Sequence, residues 1–282
     1  MDNNQPVGRN GMKPSKPADA AKLTILLNSL RLPAMKGIWQ QTSEQADNEG
    51  WPAARFLATL AEHELAERDL RRIERHLNQA RLLPGKTLHN FEFENVPMVS
   101  KAQVVAVTAG DGWLDTGGNM LIFGPPGVGK SHIASAIGLA LVQNGWRVLF
   151  TRTTDLVQKL QVARRELGLE AAINKLDRFH LLILDDLAYA IKDQDETSVL
   201  FELISARYER RSMLVTANQP FGEWDKVFQD TAMTIAAVDR LVHHSIILEM
   251  NVESYRRRHA EKQKKGPGRP ATFATHANIK PD

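Results

Sequence analysis

The sequence predicts an α/β fold: a doubly wound parallel sheet of five strands, preceded by a small all-α domain. Three observations predict it. From residue 119 onward, short β-prone runs alternate with longer helical stretches, the pattern of strands joined by helical crossovers. One of those runs, Leu181-Leu182-Ile183-Leu184, is apolar at every position, as a strand buried on both faces is. Upstream of residue 83, by contrast, the apolar residues recur at helical spacing.

Residues 1–20 are rich in Asn, Gly, Pro and Lys and read as disordered. Leu23, Leu26, Leu27 and Leu30 then recur as on a helix, and Pro33 breaks the run. A second short helix carries Met35, Ile38 and Trp39. Residues 51–82 read as one long helix. Pro52 suits a first helical position, Phe56, Leu57, Leu60, Leu65, Ile73 and Leu77 give an apolar stripe, and Pro84-Gly85 ends it. Arg68, Arg71, Arg72 and Arg75 on this helix are interleaved with Glu62, Glu64, Glu67, Asp69 and Glu74, the mixed sign of a solvated face. A helical domain over 21–88 follows. In the region 89–258, strands are expected at 119–123, 147–151, 181–185, 213–217 and 245–249. Helices are expected between them at about 130–144, 154–167, 196–210 and 231–242. Residues 259–282 read as a basic, disordered tail, and no internal repeat is evident.

Composition narrows the function classes. The 282 residues are 43% hydrophobic and 24% charged, which excludes collagen-like and wholly disordered chains. There is no cysteine, hence no disulfide, thiolate nucleophile, iron–sulfur cluster or Cys-based zinc site. No apolar run reaches the roughly 18 residues of a membrane helix, and the first 22 residues lack a secretory apolar core. The expectation is a cytoplasmic protein without a membrane partner. The net charge of +3 is unevenly placed. Residues 251–282 hold eight Lys/Arg against three acids, a local +5, which leaves the rest of the chain at −2. A basic tail points to an acidic partner such as nucleic acid, or simply to a solvated tail.

The chemistry is concentrated at Gly124-Pro125-Pro126-Gly127-Val128-Gly129-Lys130-Ser131, a GxxxxGK[ST] phosphate loop. A strand candidate precedes it and a helix candidate follows it, as the motif requires. Glycines let backbone N–H groups wrap phosphates, and a helix N-terminus adds positive potential. Lys130 would reach the β- and γ-phosphates, and Ser131 would ligate Mg²⁺. Asp185-Asp186 ends the most apolar strand. Asp185 would hold Mg²⁺ at the sheet's carboxyl edge, and Asp186 would polarise the attacking water. Asn218 ends the next strand, placed to orient water or sense the γ-phosphate. Arg240 precedes the last strand. It would either stabilise a neighbouring subunit's transition state or satisfy its own helix's last carbonyls.

Together these residues resemble the AAA+ ATPases of the IstB/DnaC type (ASCE P-loop proteins), and within them the IstB family of insertion-sequence helper ATPases. The resemblance runs from about Leu23 to Arg258. It rests on Phe91-Glu92-Phe93 with Val96-Pro97, the string 124–132 ending in His132, 181–187, Ala217-Asn218-Gln219-Pro220-Phe221 with Trp224, 239–244, and Glu253-Ser254-Tyr255-Arg256. It implies that residues 124–132, His132 included, line the ATP phosphates. It implies that Asn218 is a first sensor, Arg240 an arginine finger acting in trans, and Arg256 a second sensor acting in cis. It further implies no full helical lid after the last strand. The implied role is ATP-dependent multimerisation on duplex DNA, target capture for a partner transposase and stimulation of that transposase. Ala217 stands where Ser is usual, Ala188 where Gly is usual, and Asp186 where most AAA+ proteins have Glu. The shorter acid implies slow hydrolysis.

Lys159, Arg164 and Arg165, on the helix after the second strand, are candidate DNA contacts, with Glu166 and Glu170 nearby. In the tail, Lys264, Lys265 and Arg269 resemble the Gly-Arg-Pro core of an AT-hook; a non-specific phosphate-binding tail is the alternative. The main rival function is a DnaC-like loader of a replicative helicase, which shares the core motifs. A small-molecule kinase on the same loop lacks a visible acceptor site, and a nucleotide-gated clamp without turnover would bind but not hydrolyse.

Overall fold

The structure is a computed structural model, and it describes residues 17–187, 193–219, 223–224, 231–252 and 254. The chain divides into two compact units between Asn78 and Gln79. The first unit holds three helices: α1 (Pro17–Ser29), α2 (Pro33–Glu49) and α3 (Ala53–Ala80), whose last two residues belong to the second unit. Residues 17–20 are helical, which corrects the expectation of disorder over 1–20. Ala18, Ala20 and Ala21 favour helix, and Asp19 lies in the first turn where an acid suits the dipole. The helix expected around Met35–Trp39 extends to Glu49, because Thr42 and Ala46 continue the buried face beyond Trp39. One residue from each helix, Leu27, Trp39 and Leu60, makes the core, with Leu23, Met35, Ile38 and Phe56 packed on it.

Glu64 is the polar anchor of this unit. Its carboxylate is almost wholly buried and accepts from the α2 amides of Ala34 (2.8 Å) and Met35 (3.1 Å). Its other oxygen accepts from Arg68 Nε at 3.0 Å. A side chain on α3 thus caps the N-terminus of α2, where amides lack helical acceptors. Burial works against the charged form, but the Met35 and Ala34 amides and Arg68 outweigh it and hold the carboxyl below its ordinary value. A lowered folded value means that the stabilisation is complete above the unfolded Glu value, about 4.3. It is lost as pH falls through the folded value. Glu64→Ala is expected to cost about 1–3 kcal/mol and to flatten the acid limb of thermal unfolding. A wild-type acid limb in the variant would refute this role.

The second unit contains α4 (Lys101–Val107), β1 (Asn119–Phe123), α5 (Lys130–Gln143), β2 (Val148–Arg152) and α6 (Thr153–Arg165). It continues with α7 (Leu169–Leu176), β3 (Leu181–Asp185), α8 (Gln194–Arg207), β4 (Ser212–Ala217), α9 (Thr231–Val242) and β5 (Ser245–Glu249). All neighbouring strands pair in parallel, in the order β2-β3-β4-β1-β5. The five expected strands are therefore present, each within one residue of its expected bounds. β1, β3 and β4 are buried along their whole length, which is why they carry Met, Leu, Ile, Val and Phe with little alternation. This order sets β4 between β1 and β3, so the loops after all three emerge side by side at the carboxyl edge.

The helix expected to run to 167 ends at Arg165. Leu167 closes it with φ 56 and lies 97% exposed, while the Gly168 amide bonds Ala163 O at 2.8 Å. α7 then forms a separate helix with Ile173 buried.

Candidate active site

The phosphate loop joins β1 to α5, and its glycines meet close neighbours. Gly124 has φ 152, and a Cβ there would come within 2.5 Å of the Met250 carbonyl oxygen. Gly129 has φ 108, and a Cβ there would lie 3.1 Å from the Phe91 ring. Only glycine fits both positions. Lys130 begins α5 and is 5% exposed. Its ammonium donates to Gly124 O (2.7 Å), Pro125 O (2.9 Å) and Asn218 Oδ1 (2.7 Å), three acceptors for a group with three donors.

A cavity of about 570 Å³ opens beside the lysine. It is lined on one side by Pro126 through His132, on a second by Asp186 and Asn218, and on a third by Phe91, Asn95 and Val96. The structure thus brings Lys130, Ser131, Asp186 and Asn218 to one space. Asp185 sits behind Asp186, 6% exposed. Its Oδ1 accepts from Thr216 Oγ1 at 2.7 Å, and its carbonyl accepts from Thr153 Oγ1 at 3.0 Å. Asp186 has φ 57, and its amide donates to Thr216 Oγ1 at 2.9 Å.

His132 lines the cavity and is tied to the segment before the core. Its Nε2 lies 3.1 Å from Thr87 O and 3.0 Å from Asn90 Oδ1, and its ring meets Phe91 edge-on. Burial pushes the imidazole below its ordinary value; Lys86 adds to this and the Thr87 carbonyl opposes it. The ring therefore fastens the segment before the core onto α5.

These features suit a nucleoside triphosphate with its metal. The loop is closed to any Cβ at Gly124, a 14-residue helix starts at its end, a lysine and a serine follow in sequence, and Asp186 lines the same cavity with the buried Asp185 next to it in the chain.

The profile of the IstB-like ATP binding protein family matches residues 25–263. This chain belongs to that family. An insertion sequence ATP-binding protein of Sinorhizobium fredii is 74% identical over 257 residues, covering 91% of this chain and 86% of its relative. The insertion sequence IS21 ATP-binding protein of Pseudomonas aeruginosa is 36% identical over 245 residues, covering 87% and 91%. Among solved structures, the DnaC helicase loader superposes with a TM-score of 0.52 at 20% identity, covering 60% of this chain and 98% of that one. AMPPCP-bound DnaA from Aquifex aeolicus gives 0.52 at 20% identity, covering 66% and 56%. Both are likenesses of fold. This IstB-like protein is a P-loop ATPase of the AAA+ class.

The remaining expected site residues lie elsewhere in the IstB-like protein. Arg240 does not line the cavity. It stacks over Phe201 of α8 (5.0 Å) and donates to Ala236 O at 2.8 Å. Arg256 falls outside the described residues, as do Lys264, Lys265 and Arg269. Lys159 and Arg165 are exposed on α6. Arg164 is drawn to α8, where it bonds Ser198 Oγ (3.1 Å) and pairs with Glu202. Among the described residues no helix is long and apolar enough to cross a membrane. Sequence reasoning missed Thr216 and Thr153. A threonine in an apolar strand, two residues before Asn218, was the available signal.

Proposed function

We propose that this IstB-like protein binds Mg²⁺-ATP in the cavity, hydrolyses it slowly, and assembles as a homo-oligomer on duplex DNA in the cytoplasm. There it captures target DNA for a partner transposase and stimulates that transposase. One observation carries the nucleotide part: Lys130, bonded to Asn218, shares a cavity with Asp186. Bound Mg²⁺ would neutralise charge on the β- and γ-phosphate oxygens. Ser131 and Asp185 would hold the metal. The backbone N–H groups of Gly124 and of residues 127–131 wrap the phosphates, and Lys130 exchanges its carbonyl partners for phosphate oxygens. Asp186 takes the proton of the attacking water, and Asn218 orients that water. Arg240 serves a neighbouring subunit, in keeping with its position outside its own cavity. Arg256 contacts the nucleotide in cis.

Insertion-sequence relatives support the DNA and transposase reading. Lys159 and Arg165 on α6, with Arg164 beside them, are its candidate DNA contacts. The tail over 259–282, with Lys264, Lys265 and Arg269, adds salt-dependent phosphate contacts. The test measures binding to long duplex and to single-stranded DNA with ATP, with ADP and with Lys130→Ala. Duplex binding is expected to need ATP, to grow cooperatively with DNA length and to be lost in Lys130→Ala. Preference for single strands would transfer the assignment to helicase loading. Equal binding in all nucleotide states would refute the coupling of ATP to DNA.

A further inference from the structure

We propose that Thr216 is the positioning residue that sets the acid pair for hydrolysis; this rests on the ATPase reading above. The side chain is fully buried in β4 and does not line the cavity. Its hydroxyl proton goes to Asp185 Oδ1 (2.7 Å), and its oxygen accepts the Asp186 amide (2.9 Å). Its carbonyl accepts the next amide, that of Leu187, at 2.9 Å. Three bonds from one residue therefore hold three consecutive residues at the end of β3.

Two consequences follow from the chemistry. A hydroxyl that donates to a carboxylate makes a short, charge-assisted bond. It commits Oδ1 of Asp185, so the other oxygen is the one that would meet a metal. The second consequence concerns Asp186. Its φ of 57 is costly for a residue with a side chain, and the two amide bonds to Thr216 hold the turn that aims its carboxyl into the cavity. Valine has the same shape and burial but supplies neither the donor nor the side-chain acceptor.

Asn218, the residue directly after β4, bonds Lys130. Within three residues this stretch of chain therefore holds the lysine at one point and the acid pair at another.

The experiment compares full-length Thr216→Val, Thr216→Ser and Thr216→Ala with the wild type. Steady-state hydrolysis, nucleotide affinity, the Mg²⁺ concentration for half-maximal rate and thermal unfolding are read together. Thr216→Val is expected to lower kcat by about 10- to 100-fold while the ATP Kd moves by less than about 3-fold, and to raise the Mg²⁺ requirement. Thr216→Ser, which keeps the hydroxyl, is expected to recover the rate to within about 3-fold. Should Val fail to fold, Ala against Ser makes the same comparison. Wild-type turnover in Val and Ala, or equal damage in Ser and Val, would overturn the assignment of Thr216 alone. A wild-type chain without turnover would overturn the ATPase reading itself, and Thr216 with it.

Discussion

Asp186→Asn is expected to lower ATP turnover by about 10²–10⁴-fold, the usual worth of a positioned general base. ATP should remain bound. Asn is isosteric and keeps the backbone amide that bonds Thr216, so the turn and the cavity wall survive. What is lost is the ability to accept a proton. On the proposed function the affinity contacts lie elsewhere, in the loop, Lys130 and the start of α5. The variant should therefore separate assembly from turnover: ATP-dependent DNA complexes form and persist, because hydrolysis no longer dissolves them. Phosphate release and nucleotide binding, measured on the same preparation, check this. Turnover near the wild-type rate would move the base to another residue. Loss of binding and hydrolysis together would mean that Asp186 shapes the site and does no proton transfer.

Arg207→Met is expected to be the most destabilising single change in the second unit, at about 3–5 kcal/mol. Arg207 is 0% exposed. Its guanidinium donates to four carbonyls: Leu176 (3.1 Å), Phe179 (3.1 Å), His180 (3.4 Å) and Ser212 (3.0 Å). Those carbonyls end α7, lead into β3 and start β4. Methionine fills much of the volume but leaves all four without this donor, and each unmade buried bond carries a desolvation penalty. Burial pushes the arginine down to about 10, against the attraction of Asp177 at 3.6 Å and with the repulsion of Arg211 and Arg210. It therefore stays charged at neutral pH, and the loss should show no pH dependence there. Arg207→Lys keeps the charge but not the planar fork, and should recover only part of the stability. Chemical denaturation of the three proteins decides it; a Met variant within about 1 kcal/mol of wild type would refute the role.

The sheet was legible because β1, β3 and β4 are buried along their whole length, so their apolar runs carry no competing signal. Residues 181–185 and 245–249 agree with β3 and β5 to the residue. The phosphate loop was legible because it is contiguous in sequence. What stayed hidden depends on contacts between distant segments. Glu64 looks like any acid on a solvated helix face, yet it caps a helix 30 residues upstream. Arg207 looks like a routine cation in a last helical turn. Thr216 reaches Asp185 and Asp186 across 31 and 30 residues. The length of α2 was hidden for another reason: its second half, Gln40 to Glu49, is almost wholly polar and is held by Thr42 and Ala46 alone. Arg164 read as a surface cation because Glu202, its partner, lies on α8.

Met250 gives the basic tail a mechanical address. Its amide donates to Phe123 O at 2.8 Å, the last rung between β5 and β1 before Gly124 begins. Five residues separate it from Arg256, a span of at most about 22 Å. Any load on the chain beyond Met250 enters β5, an edge strand, at its carboxyl end. The first rung it meets is the one that abuts the nucleotide cradle. A load on the tail is thus felt at the cradle's hinge before it reaches the interior of the sheet.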